Sequence, residues 1–355
     1  MAHYNLALIG FGHVGKALAR LLLRKQDELH ALYNLTFKIT GVATARHGAA
    51  IDLDGINLPR LLDEGLGEGF LGGGNGSSPD IPAALPGGSK TPASDTFAFL
   101  RNCAADVMYE NTPVNYETGQ PAIDHIRTAL QLGMHAVTAN KGPVVHAYRL
   151  LTDLAEAKGL RFYFESAVMD GAPIFSLFRE TLPGARLLRF RGVLNSTTNL
   201  ILTRMEGGES FDDAVKYAQS IGITETDPSG DIDGWDASVK VAALATVLMD
   251  HPLKPSEVER QGIRGITAQD IRRARQAGKR WKLICSAERS ASGFRASVTP
   301  ELVAPDSPLF HVEGTSSTVT FETDVLGPLS IVETNPGPET TAYGLLADFL
   351  NIARR

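Results

Sequence analysis

The sequence predicts an α/β chain in parts. A doubly wound, largely parallel sheet is expected over residues 1–165 and an α+β region with an antiparallel sheet over 166–330. A loop and helix over 331–355 are then expected to return to the first part. Three observations predict this arrangement. Up to about residue 165, short apolar runs alternate with helical periodicity, as in a parallel sheet wrapped by helices. Beyond it, apolar and polar residues alternate between Gly/Pro turns, the pattern of half-exposed strands. The length of 355 residues suits two domains at roughly 100–200 residues each.

The elements follow in order. Residues 6–9 read as a buried strand, and Gly10-Phe11-Gly12-His13-Val14-Gly15 comes directly after. Val14, Ala17, Leu18, Leu21 and Leu22 then recur at helical spacing. Residues 37–43, 105–109, 135–139 and 161–164 are further strands. A helix around Ile123, Ile126, Ala129 and Leu130 ends at Gly133, a candidate left-handed cap. Between 63 and 95 the pattern fails: the Gly/Ser/Pro-rich stretch holds too little apolar surface to offset its ordering entropy and reads as a mobile surface insertion. In the second part, 188–192, 281–286, 295–298, 318–323 and 329–332 are strands. Phe211, Ala214, Val215 and Ala218 mark a helix stopping at Gly222, and 341–353 forms the last amphipathic helix. In 281–286, Trp281, Leu283 and Cys285 alternate with Lys282, Ile284 and Ser286.

Composition narrows the class. The chain is 43% hydrophobic and 21% charged, as ordinary soluble domains are. A formal net charge of -6 argues against a nucleic-acid partner. Cys103 and Cys285 lie far apart in no metal-ligand spacing, which fits a reducing compartment. The chain enters its first strand too early for a signal peptide, and no apolar run reaches the roughly 20 residues of a membrane helix. A cytoplasmic protein is expected.

The glycine hexamer has the context that gives it meaning, strand before and helix after, in a Rossmann-type βα turn. Gly10 permits the tight turn, Gly12 lets backbone approach a pyrophosphate, and Gly15 allows close helix–strand contact. Residues 10–15 are therefore the candidate dinucleotide loop. After the second strand, an NAD-selective site would carry an acid for the ribose hydroxyl. Here stand Thr44 and Arg46, which suit a 2′-phosphate, so NADP is expected, with NAD possible. Thr112 and Lys141 lie at later strand ends, where ligands of open α/β sheets bind.

The stretch from Glu225 to Lys240 places five carboxylates before an apolar helix whose one charge past its first turn is Lys240. Asp236 precedes it by four residues, so both side chains share a helix face. Two readings are open. One is a capped helix start, with Asp233 as N-cap and Asp236 at N3. The other is a buried lysine–carboxylate pair that transfers protons.

Three segments together resemble the homoserine dehydrogenase family: Thr138-Ala139-Asn140-Lys141-Gly142-Pro143, Gly192-Val193-Leu194-Asn195-Ser196-Thr197-Thr198-Asn199, and residues 225–240. The resemblance covers most of the chain in the family's order. It implies reversible hydride transfer between a nicotinamide cofactor and the homoserine/aspartate 4-semialdehyde pair, in threonine and methionine biosynthesis. It places Lys240 and Asp236 at the reacting oxygen and Lys141 near both it and the cofactor. It implies substrate binding by Glu225, Asp231 and Thr198, with Asp227 and Asp233 shaping the loop. It gives Gly337 to the nicotinamide loop and implies a homodimer formed through the second domain's sheet. Residues 165–173 match a monovalent-cation loop, with Glu165 and the carbonyls of Val168, Asp170 and Ala172 as sodium ligands. Met169-Asp170 departs from the family's glycine-rich form there, and residues 333–337 depart from the usual nicotinamide loop. The chain has no segment resembling a regulatory domain. Two other hypotheses stay open: a dehydrogenase of another small amino alcohol, and a non-catalytic dinucleotide sensor.

Overall fold

A computed structural model describes residues 1–66, 93–291 and 293–354. The chain divides into two compact units: Met1–Pro143, Ala147–Gly171 and Pro338–Arg355 form the first, Val144–His146 and Ala172–Gly337 the second.

The first unit is built on a six-stranded sheet of order β3-β2-β1-β4-β5-β6. Its strands are β1 (Ala2–Ile9), β2 (Leu35–Thr44), β3 (Gly48–Ile51), β4 (Val107–Glu110), β5 (His135–Thr138) and β6 (Phe162–Tyr163). All pair in parallel except β3, which folds back antiparallel on β2. That edge strand has no apolar alternation and was not anticipated. The helices are α1 (His13–Tyr33), α2 (Leu58–Glu64), α3 (Ala93–Asn102), α4 (Ala122–Gln131), α5 (Lys141–Ala157) and, from the C-terminus, α11 (Pro338–Ala353). Helix α5 is interrupted at Ala147, whose φ of -142° is not helical. Leu18, Leu22, Leu345 and Phe349 lie in one apolar core with Leu6 and Leu8 of β1, which ties α1 and α11 to the sheet. Gly133, with φ +92°, provides the left-handed turn beyond α4. The expected insertion at 63–95 lies mostly outside the described residues; its two ends belong to α2 and α3.

The second unit carries a six-stranded sheet of order β12-β11-β7-β9-β10-β8. These strands are β7 (Leu187–Val193), β8 (Glu259–Arg260), β9 (Arg280–Ser290), β10 (Gly293–Val303), β11 (Ser317–Thr323) and β12 (Leu329–Glu333). Pairing is antiparallel save for the short β8–β10 contact. Helices α6 (Ser196–Glu206), α7 (Phe211–Ser220), α8 (Ser229–Ile232), α9 (Trp235–Leu248) and α10 (Ala268–Gln276) complete it. Helix α9 is apolar all round and buried from Asp236 to Thr246 except at Lys240, as befits a core helix.

One strand departs from its expected faces. Lys282 is fully buried in β9, and its Nζ donates to Asn199 Oδ1 (2.9 Å) and to the Val312 carbonyl. The strand lies between β7 and β10, and α6, α9 and α10 pack against it. Both faces of its middle are therefore covered, and alternation no longer separates inside from outside. Burial pushes the Lys282 amine down to about 8, with the nearby Arg280 guanidinium adding to the effect.

Candidate active site

In the first unit, Gly10 adopts φ +92°, a conformation that favours glycine, and a Cβ there would run into the Asn111 carbonyl. A Cβ on Gly15 would lie 2.6 Å from the Gly10 carbonyl oxygen, so helix and strand meet as closely as the hexamer predicts. Space is open beside Gly12, where a Cβ would meet nothing within 4 Å. Gly12 is the N-cap of α1 and supplies no side-chain cap, and the first turn holds no acid. Its backbone N–H groups and partial positive charge are thus available to an anion. His13 is exposed, Val14 half-buried and Phe11 buried. The side-chain oxygen and nitrogen of Asn111, next to this turn, are buried without a hydrogen-bond partner among the described residues. These features fit a bound dinucleotide.

The turn after β2 is partly committed to itself. Thr44 Oγ1 accepts from the His47 backbone N–H (3.0 Å), while Arg46 is exposed. At the end of β4, Glu110 is fully buried, a residue that sequence reasoning missed. Its Oε1 accepts from the Thr112 hydroxyl and backbone N–H, and His125 Nδ1 lies 3.5 Å from it. Thr138 Oγ1 donates to the Glu110 carbonyl (2.7 Å). Asn140 Nδ2 donates to the Thr112 carbonyl (3.1 Å), and Asn140 Oδ1 caps α5 through the Gly142 N–H (2.9 Å). Thr112 and Lys141, the first residue of α5, are therefore held by one polar network. The available signal was a lone acid closing the apolar run Val107-Met108-Tyr109.

In the second unit, Lys240 and Asp236 come together as an ion pair. Lys240 Nζ lies 3.4 Å from Asp236 Oδ2, with side chains 14% and 11% exposed. It also donates to the Leu194 carbonyl at 2.6 Å. Asn195 Nδ2 donates to both Asp231 Oδ1 (2.7 Å) and Asp236 Oδ2 (3.1 Å). Thr198 donates its backbone N–H and its hydroxyl to Asn195 Oδ1, at 2.8 and 2.9 Å. Thr224 Oγ1 donates to Asp231 Oδ2 at 2.8 Å. Lys240, Asp236, Asp231 and Thr198 thus converge, while the Glu225 side chain is exposed outside this network.

The capping alternative fails. Gly234, in the left-handed region at φ +80°, is the N-cap of α9, and it makes no side-chain cap. Asp233 instead pairs with Arg264 Nε at 2.5 Å, and its backbone carbonyl accepts from Arg260. Asp227 Oδ1 accepts from the Ser229 N–H (3.0 Å) and so shapes the loop.

Two family models match the chain. The model of the homoserine dehydrogenase NAD-binding domain matches residues 10–165, and that of homoserine dehydrogenase matches 173–350. The "NAD(+)-dependent homoserine dehydrogenase" of Pseudomonas canavaninivorans is 36% identical over 99% of this chain and 97% of its own length. A homoserine dehydrogenase of Methanocaldococcus jannaschii is also 36% identical, over 98% of each. The chain belongs to the homoserine dehydrogenase family. Among solved structures, the Thiobacillus denitrificans enzyme superposes with a TM-score of 0.81 at 28% identity, covering 100% of this chain and 74% of the other. A hyperthermophilic archaeal homoserine dehydrogenase in complex with NADPH gives 0.79 at 28%, covering 99% and 98%. The protein is therefore an NAD(P)-dependent oxidoreductase with homoserine dehydrogenase activity, and the sensor hypothesis falls away.

The two loops that depart from the family's common form, 165–173 and 333–337, take particular conformations here. Glu165 is buried, and its backbone N–H donates to Asp348 Oδ2 at 2.7 Å. Val168 is buried, and Asp170 has a positive φ of 34° and accepts from Thr340 Oγ1 at 3.4 Å. The Ala172 carbonyl accepts from the Ile174 N–H at 2.8 Å, which leaves its second lone pair. Among the described residues, no group of three or more His, Cys, Asp or Glu side chains stands ready for a metal. In the 333–337 loop the left-handed residue is Asn335, at φ +54°, rather than Gly337, because asparagine tolerates that region.

Proposed function

We propose that this homoserine dehydrogenase interconverts L-homoserine and L-aspartate 4-semialdehyde reversibly, with NADP preferred, and that Lys240 moves the hydroxyl proton. The observation that carries this reading is the Lys240–Asp236 pair, largely removed from water beside the bridged Asp231. A base must reach the hydroxyl within hydrogen-bond distance, because its O–H bond breaks as carbon loses hydride. Bound nicotinamide supplies the hydride acceptor or donor. Lys240 takes the proton as the carbonyl forms and returns it in reduction, while Asp236 orients the amine. Asp231 and Glu225 receive the substrate's ammonium group, and the Thr198 hydroxyl contributes to binding. Lys141, at the start of α5, serves the cofactor side of the reaction together with residues 10–15, Thr112 and Gly337.

Arg46 supports the NADP preference, since the turn after β2 offers an exposed guanidinium and no carboxylate from Thr44 to Gly48. The relative named as NAD(+)-dependent favours NAD as the second reading. Following cofactor absorbance with L-homoserine decides the matter: wild type should favour NADP+, and Arg46→Glu should lose most of that preference. Unchanged selectivity removes Arg46 from the account, and turnover only with another hydroxy-amino acid removes homoserine.

We further propose sodium at Glu165 and the carbonyls of Val168, Asp170 and Ala172; hard cations favour oxygen ligands. Sodium-dependent activity, lost in Glu165→Ala, tests it. Association as a homodimer through the second unit's sheet is supported by exposed Val332 and Leu302 on its strands (60% and 45% exposed), and sedimentation tests it. No helix among the described residues is long and apolar enough to cross a membrane. Both cysteines are free and buried, which supports a cytoplasmic setting for this step of threonine and methionine biosynthesis.

A further inference from the structure

Asn195 is 4% exposed, yet its side-chain amide is fully used. Its Oδ1 faces the backbone N–H of Thr198 at 2.8 Å. A backbone N–H can only donate, so the oxygen is fixed on that side and the NH2 group must point the other way. There the two N–H bonds go to two different carboxylates, Asp231 at 2.7 Å and Asp236 at 3.1 Å. One residue earlier, the Leu194 carbonyl accepts from Lys240 Nζ. Two consecutive residues at the end of β7 thereby fix all three groups of the acid–base cluster. The buried Cys285 thiol also lies close enough to feel Lys240 and Asp236, and burial pushes it up to about 12 and so keeps it neutral.

We propose that Asn195 is a positioning residue of this enzyme: its amide holds Asp231 and Asp236 apart, the one for the substrate's ammonium, the other for Lys240. This rests on the assignment of Lys240 and Asp236 as the proton-transfer pair. Carboxylates brought together without a donor between them favour sharing one proton. Such sharing would cost the cluster one negative charge, either at the ammonium site or beside the lysine. The bridging NH2 gives each carboxylate its own donor and removes the need. The Thr198 contacts make the bridge rigid, since the same amide also caps α6.

Two substitutions separate this role from capping. Asn195→Ser and Asn195→Asp both retain an oxygen able to cap α6. The serine cannot donate to both carboxylates, and the aspartate adds a third. In the full-length enzyme, kcat/KM for L-homoserine should fall about ten- to hundredfold in the serine variant, the effect of losing hydrogen bonds to charged groups. The acid limb of its pH profile should move to higher pH, and further in the aspartate variant. Both variants lose buried hydrogen bonds to charged groups, so their thermal midpoints should fall, and activity is compared at a temperature well below each midpoint. An unmoved acid limb, or a loss of activity that merely tracks a lowered midpoint, overturns the proposal. Lys240→Met is measured alongside. If that variant keeps turnover, the underlying proton-transfer assignment fails. If it is inactive while both Asn195 variants behave as wild type, only the present inference fails.

Discussion

Replacing Lys282 with methionine should flatten the pH dependence of the second unit's stability between neutral and alkaline pH. The amine is fully buried and depressed to about 8 from an ordinary 10.5. A group whose folded value is depressed contributes stability that is present above its unfolded value and lost as pH falls through the folded one. Wild type should therefore gain stability between about pH 8 and 10.5. Integrating that linkage from pH 7 to pH 9.5 gives a gain of about 2 kcal/mol. Arg280 opposes the charged amine while Glu206 and Glu313 favour it, and all three remain in the variant. Cys285 works the other way: its folded value is raised, so its contribution is lost at high pH, equally in both proteins. The difference between wild type and variant isolates the lysine. The offset at pH 7 is not diagnostic, because methionine removes a desolvation cost while leaving Asn199 Oδ1 and the Val312 carbonyl without that donor. Trp235 and Trp281, the chain's 2 tryptophans, both lie in the second unit, so their fluorescence during urea unfolding reports that unit. With a slope of about 2 kcal/mol per molar, the wild-type midpoint should gain roughly 1 M on the variant's by pH 9.5. Parallel midpoint curves would refute the reasoning.

Other perturbations address the first unit. Gly10→Ala puts a Cβ at φ +92° against the Asn111 carbonyl. It should abolish measurable NADPH binding in a fluorescence titration while leaving tryptophan emission unchanged, and retained affinity would contradict the turn's role. Glu110→Gln replaces an acceptor of the Thr112 and Thr138 donors with one that must also donate. It should cost about 2–3 kcal/mol of stability, from lost hydrogen bonds to a charged group, and weaken NADPH binding about tenfold. Unchanged affinity would confine Glu110 to a packing role.

How much of this was legible depended on where the decisive partners lie in sequence. The parallel sheet was readable because β1, β2, β4 and β5 are apolar runs and the glycine hexamer sits between strand and helix. The Lys240–Asp236 pair was readable because an i, i+4 spacing is local. Glu110 was not, since His125 and Thr138 reach it from segments 15 and 28 residues further on. The start of α9 misled for the same reason: the partner that takes Asp233, Arg264, is 31 residues further on. Lys282 defeated the alternation rule because a central strand packed on both faces has no outside. Asn195 was visible only as part of a motif; its two carboxylate partners come 36 and 41 residues later.

The proton carried by Lys240 is the claim on which the rest depends. General acid–base groups contribute about 10²–10⁴ in rate. In Lys240→Met, L-homoserine oxidation should fall about a thousandfold in kcat while NADPH affinity stays at the wild-type value. A variant that oxidises homoserine within about tenfold of wild type, with cofactor binding intact, would show that another group moves the proton.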